Sequence, residues 1–131
     1  MSQDEITVFE ALGGQPFFDD LAHRFYEQVA VDPVLRPLYP DDLVPGERHL
    51  ALFLGQYWGG PTTYSDERGH PRLRMRHAPF VIGEAERDAW YRAMAGAVVT
   101  SGAPAELQQR LLDYFRMAAD HMVNAVSERS E

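Results

Sequence analysis

The sequence predicts an all-α domain. Three observations lead there: four segments repeat apolar residues at helical spacing, Gly and Pro punctuate the stretches between them, and no segment alternates with period two for long enough to make a strand. Val98-Val99-Thr100 and Phe80-Val81-Ile82 favour strand locally, yet each is too short to found a sheet.

The first helix opens at Gly13-Gly14-Gln15-Pro16, with Pro16 suited to a first turn, and runs to about Val31. Phe17, Leu21, Phe25 and Val29 form its stripe, with Phe18 and Tyr26 beside it. From Asp32-Pro33 to Asp42 the chain is turn-rich, and Pro37 and Pro40 limit any helix there to about one turn. A second helix begins near Pro45, turns Leu50, Phe53, Leu54, Tyr57 and Trp58 inward, and stops at Gly59-Gly60-Pro61. Residues 61–71 read as an ordered loop, and residues 72–78 as a brief helix ending before Pro79. The third long helix covers about 84–101, presents Trp90, Met94, Ala97 and Val98, and ends at Gly102. Pro104 starts the last one, whose stripe is Leu107, Leu111, Tyr114 or Phe115, Ala118, Met122 and Val126. Periodicity leaves two arrangements open, a simple up-down bundle and a crossed sandwich.

The 131 residues suffice for one domain with one sizeable core, taken as 1–131 with flexible ends. With no Cys, the chain has no disulfide, thiolate-held zinc, iron–sulfur cluster or thiol nucleophile. A net charge of −8 argues against nonspecific nucleic-acid binding and against docking on anionic lipid. Apolar runs fall far short of a membrane span, and the acidic start at Asp4 and Glu5 is unlike a signal peptide, so a cytoplasmic location is expected. All twelve basic residues are Arg, and Arg68, Arg72, Arg74 and Arg76 crowd into nine positions. Such a cluster is either a solvated face or a seat for carboxylates or phosphates.

Five histidines, His23, His49, His70, His77 and His121, are the candidates for chemistry. None forms HExxH, and the single Glu67-x-x-His70 spacing has no partner, so zincin and di-iron sites are not indicated. His77 stands apart, with Leu73 at i−4, Phe80 at i+3 and arginines at i−1, i−3 and i−5. A His beside apolar groups is ordinarily a core residue bonded to backbone. Here the nearby cations add a second requirement, and a haem supplies both: an apolar macrocycle whose iron takes one imidazole, and two propionates that attract Arg. His70 points to the same propionate rim, whereas His23, His49 and His121 read as surface or amphipathic positions. Tyr and Trp at helical spacing ordinarily fill a core. Should Tyr26, Tyr39 and Trp90 converge on one pocket, so many donors in an apolar site would require a polar ligand.

These residues fall into a familiar pattern. The run Phe53-Leu54-x-Gln56-Tyr57-Trp58-Gly59-Gly60-Pro61 is followed by Tyr64, then by Gly69-His70-Pro71-Arg72-Leu73-Arg74-Met75-Arg76-His77-Ala78-Pro79-Phe80, then by Arg87-Asp88-Ala89-Trp90. With Arg24-Phe25-Tyr26, Tyr39-Pro40 and His121-Met122-Val123-Asn124, it resembles the truncated haemoglobins over about residues 6–126. The Trp in the third long helix resembles group II of that family.

The resemblance implies a two-over-two helical sandwich, in which Gly13-Gly14 and Gly59-Gly60 allow short turns to replace helical material. It implies haem b, iron protoporphyrin IX, with His77 as the metal ligand. Tyr26, Tyr39 and Trp90 match the distal polar set that contacts O₂, and Leu50 matches the apolar distal position. Gly46 falls where many globins place a distal His or Gln. Cofactor contacts are expected from Phe53, Leu54, Tyr64, His70, Arg72, Leu73, Arg76, Phe80, Trp90 and Met94, with Arg76 the first choice for a propionate. The implied function is reversible binding of O₂, NO and CO, with slow O₂ release. Hydrogen bonds from Trp90 and Tyr39 to a charge-bearing ligand would each contribute roughly 1.5–3 kcal/mol. Oxidation of nitric oxide or reduction of peroxide would draw on a separate electron-donor protein, because no GxGxxG fingerprint is present. Monomer and homodimer are both compatible with the sequence. The alternative is a haem-free helical interaction domain, in which the aromatics are core, His77 is structural and the arginines are solvated.

Overall fold

In a computed structural model of the chain, residues 6–68 and 83–123 are described. They form α1 (Val8–Ala11), α2 (Gln15–Val31), a 3₁₀ turn (Arg36–Leu38), α3 (Val44–Tyr57), α4 (Thr63–Arg68), α5 (Glu84–Thr100) and α6 (Ala105–Met122). No strand occurs among the described residues. The expected helix at 72–78 and Val126 lie outside them.

The four long helices start within a residue or so of the expected positions, and the first three also stop there; the last ends at Met122, short of the expected stripe through Val126. Their breakers act as anticipated: Pro16 and Pro45 stand in first turns, and Gly59 and Gly102 adopt positive φ just past helix ends. On α2 the buried face is Phe18, Leu21, Ala22, Phe25, Tyr26 and Val29. Phe18 is therefore fully inside and Phe17 only partly, a small rotation from the expected stripe. On α6 the buried face runs through Leu111, Phe115, Ala119 and Met122. Tyr57, placed inward by periodicity, is half-exposed at the end of α3.

Two elements depart from expectation. Helix α1 is too short for periodicity to register, but Thr7 and Glu10 cap it reciprocally. Glu10 N–H donates to Thr7 Oγ1 at 3.0 Å, and Thr7 N–H donates to Glu10 Oε1 at 3.3 Å. Helix α4 occupies part of the expected loop. Its turn is held from outside: Ser65 N–H donates to Gln56 Oε1 at 3.0 Å, and Gln56 Nε2 donates back to Ser65 Oγ at 2.8 Å. The Arg48 guanidinium grips Glu67 through both carboxylate oxygens at 2.8 and 2.9 Å. Bonds across sequence thus override the weak local signal of a Gly- and Pro-rich stretch.

Helices α2 and α3 run antiparallel, since Gln15 Nε2 donates to Ala51 O at 2.9 Å while His23 meets Glu47 at 3.1 Å. Helices α5 and α6 form a second antiparallel pair, tied by Arg87 to Asp120 at 3.5 Å and by Arg116 lying 4.1 Å above the Tyr91 ring. The pairs meet where α2 packs on α5, with Phe25 edge-on to Trp90 at 5.8 Å. This is the two-over-two sandwich, not an up-down bundle. Gly59-Gly60 anchors α1 across the end of α3: Phe9 N–H donates to Trp58 O at 2.9 Å, and a Cβ on Gly60 would stand 2.5 Å from the Phe9 ring. A side chain at either glycine would lift α1 away.

Candidate functional site

The crossing of the two pairs leaves a cleft of about 230 Å³, partly open to solvent, walled by α2, α3, α4, α5 and α6 and the residue after the 3₁₀ turn. Much of the wall is apolar: Phe25, Leu50, Phe53, Leu54, Phe115 and Met122. Among the polar aromatic residues that line it, besides Tyr64 and Tyr114, are Tyr26 from α2, Tyr39 after the turn and Trp90 from α5. The sequence places these three far apart; the fold brings them together.

Their geometry is mutual. The Tyr26 and Tyr39 rings meet edge-on at 5.6 Å. The indole of Trp90 neighbours the Tyr39 phenol and eases its ionisation, the effect of a donor near the phenol oxygen, since an indole nitrogen cannot accept. The Tyr39 proton is then left to be donated elsewhere. Burial pushes the Tyr39 phenol well above its ordinary range, and the neighbouring Tyr26 adds to this, while Trp90 acts in the opposite sense. Burial, reinforced by the Glu47 carboxylate, pushes Tyr26 up to about 12. Both phenols are therefore neutral O–H donors throughout the physiological range.

Two neighbours fix this set. Gly46 lies against Tyr26, and a Cβ there would stand 2.6 Å from the Tyr26 hydroxyl oxygen. Arg36 holds the backbone that carries Tyr39. Its guanidinium donates to the carbonyls of Tyr39, Pro40 and Asp41 at 3.2, 3.1 and 3.1 Å. Three carbonyls on one planar fork leave the segment little freedom.

Of the residues expected at a cofactor, Leu50, Phe53, Leu54, Tyr64, Gly46 and Trp90 line the cleft. Met94 is fully buried in the core and does not line it. His70, Arg72, Leu73, Arg76, His77 and Phe80 lie outside the described residues. Sequence reasoning missed His49, which lines the cleft three residues after Gly46 and next to Leu50; that spacing was the available signal. It also read Phe25, Tyr114, Phe115, Ala118 and Met122 as core alone, because a cleft wall and a core carry the same apolar pattern. Among the described residues no group of three or more His, Asp or Glu is placed to hold a bare metal ion. No helix there is long and apolar enough to cross a membrane. The walls that are described suit a flat apolar macrocycle carrying a polar ligand on the face toward Tyr39 and Trp90.

Known proteins show the same construction. The bacterial-like globin family model matches residues 7–124. A group 2 truncated haemoglobin of Bacillus subtilis is 40% identical over 124 residues, covering 95% of this chain and 93% of that protein. Among solved structures, a thermostable haemoglobin from the actinobacterium Thermobifida fusca superposes with a TM-score of 0.90 at 56% identity, over 92% of this chain and 99% of the other. A truncated oxygen-avid haemoglobin from Bacillus subtilis gives a TM-score of 0.86 at 40% identity, over 91% of this chain and all of the other. An all-helical two-over-two fold around an apolar cleft is that of a globin, a class of haem proteins that bind small gaseous ligands. The chain belongs to the truncated haemoglobins of group II.

Proposed function

We propose that the chain seats haem b in this cleft through His77 and binds O₂ reversibly, with NO and CO as further ligands. The observation that carries the reading is the meeting of Tyr26, Tyr39 and Trp90 on one apolar cleft. Three polar groups so placed cost stability unless something polar enters among them. The bound haem supplies a ferrous site that shares electron density with O₂. Phe53, Leu54 and Tyr64 line the seat, Leu50 keeps water out of the distal side, and Arg76, with Arg72 and His70, is the proposed partner of the propionates. Tyr39 keeps an O–H for the ligand because the indole beside it cannot accept. Donors held this way lose little freedom on ligand arrival, so the bonds act mainly to slow escape.

Retention of this kind favours chemistry on bound O₂, such as oxidation of nitric oxide, over simple delivery. Electrons would then come from a separate donor protein. The relative from Bacillus subtilis described as oxygen-avid supports slow release here. The test is spectroscopic. Purified protein titrated with hemin should give an intense Soret band, and His77→Ala should lose it or require added imidazole. A protein that stays colourless with excess hemin is the haem-free interaction domain instead.

A further inference from the structure

Two contacts lie side by side where α2 packs on α3. His23 and Tyr26 stand three residues apart on α2, close to one face, and Gly46 and Glu47 are consecutive in the first turn of α3. Tyr26 lies on Gly46, so near that a Cβ there would meet its hydroxyl oxygen at 2.6 Å, and His23 Nδ1 meets Glu47 Oε2 at 3.1 Å. On its other side the imidazole faces its own helix, with Nε2 at 3.3 Å from Glu27 Oε2 one turn along. Tyr26 and Gly46 line the cleft, whereas His23 and Glu47 do not, and the His23 side chain is 57% exposed. A group that titrates in water is thus linked, through one carboxylate, to a hydroxyl in the cleft.

The charges at this junction give the link a direction. A carboxylate only accepts, so an imidazole that bonds to one at each ring nitrogen needs both N–H groups, and that form is the imidazolium. The bond to Glu47 does most to hold the His23 proton, raising the imidazole above its ordinary value, and the charges of Glu27 and Asp20 add to it. The other charged groups around the junction have partners of their own. Arg24 pairs with Asp20 at 2.6 Å, Asp19 accepts from Gln15 at 3.0 Å, and Arg48 grips Glu67. Burial chiefly keeps Tyr26 a phenol, and the Glu47 carboxylate acts in the same sense. While His23 is charged, it offsets the Glu47 carboxylate and holds it on the outer side of the junction. Once the imidazole is neutral, a full negative charge is left near the Tyr26 hydroxyl and draws its O–H out of the cleft.

We infer that Glu47 is a positioning residue for the Tyr26 hydroxyl, and that the charge on His23 decides whether this O–H is offered to a ligand in the cleft or turned toward Glu47. This rests on the proposed haem seat, since the ligand is the gas bound there. In the acid form the imidazolium keeps Glu47 occupied, Tyr26 donates into the cleft beside Tyr39 and Trp90, and O₂ is retained. As pH rises through the raised His23 value, one proton leaves to water, Tyr26 turns to Glu47, and O₂ escapes faster. Tyr39 and Trp90 remain as donors, so the change is partial, about two- to fivefold, the scale of one partly exposed charge pair. The step belongs to an imidazole, because the phenols of Tyr26 and Tyr39 stay neutral through this range.

The experiment uses hemin-loaded protein whose Soret band has first been verified. A missing band sinks the haem reading and this inference with it; a sound band with either result below reversed sinks this inference alone. The first readout is the titration of the histidine ring protons by NMR in the ferrous CO form, with His23 assigned by its loss in His23→Gln. His23 should titrate above about 6.5 and fall back toward that value in Glu47→Gln; an unmoved titration would overturn the link to Glu47. The second is the O₂ dissociation rate by stopped flow across about pH 6–9. The wild type should show a single rise of about two- to fivefold at the His23 titration, absent in His23→Gln and in Glu47→Gln. Tyr26→Phe should lose the step as well, although His23 and Glu47 are still present. A flat wild-type profile would overturn the proposal, and so would a step that survives at full height in Tyr26→Phe, since the charge would then act without the phenol.

Discussion

Gly46 and Tyr26 are fitted to one another. The phenol crosses from α2 to α3 and its hydroxyl oxygen occupies space that any Cβ at Gly46 would take, at 2.6 Å. The glycine is thus required by the tyrosine. Gly46→Ala should displace the Tyr26 ring and cost about 1–3 kcal/mol of stability, measured as a lower denaturant midpoint. Tyr26→Phe removes the clashing oxygen, so the double variant should be more stable than the sum of the single changes predicts. Strict additivity would refute the fit.

Trp90 and Tyr39, side by side on the cleft wall, are the donors offered to a bound gas in the proposed function. Trp90→Phe and Tyr39→Phe should each raise the O₂ dissociation rate at least several-fold, since about 1.4 kcal/mol is a factor of ten. CO release should change less, because bound CO carries less charge. Stopped-flow displacement of O₂ measures this, and an unaltered rate in Trp90→Phe would mean the indole only packs.

Arg36 acts through Tyr39. Losing its three carbonyl contacts in Arg36→Ala should loosen the segment and raise the O₂ dissociation rate in the same direction as Tyr39→Phe, by a smaller factor. Combined with Tyr39→Phe it should add nothing further to the rate. A full additional increase in the double variant would place the Arg36 effect elsewhere.

The buried phenols give a one-sided pH dependence. Tyr26 is raised from 10.0 to about 12, and Tyr39 and Tyr114 are raised as well. A raised value means stability is level below about pH 10 and is lost as pH climbs through the folded-state values. For Tyr26 the shift corresponds to roughly 3 kcal/mol between about pH 10 and 12, at about 1.4 kcal/mol per unit. Denaturation midpoints should therefore fall steeply above pH 10 in the wild type and less steeply in Tyr26→Phe. O₂ dissociation should show no phenol titration between pH 6 and 9.

Much of this protein was legible from its residues in order. Helix boundaries were, because Pro16, Pro45, Gly59 and Gly102 act within one or two residues of where they stand, and the stripe on α2 repeats a local period. The roles of Tyr26, Tyr39 and Trp90 entered through family resemblance. What residue order could not decide was their convergence, which depends on how two antiparallel helix pairs cross. The same holds for α4, a weak helix stabilised by Gln56 and Arg48 from another element, and for His49, whose place on the cleft wall is set by the rotation of α3. Local propensities reach a few residues along the chain. The meeting of Trp90 and Tyr39 on one wall, or an oxygen pressed against Gly46, exists only once distant segments have closed on one another.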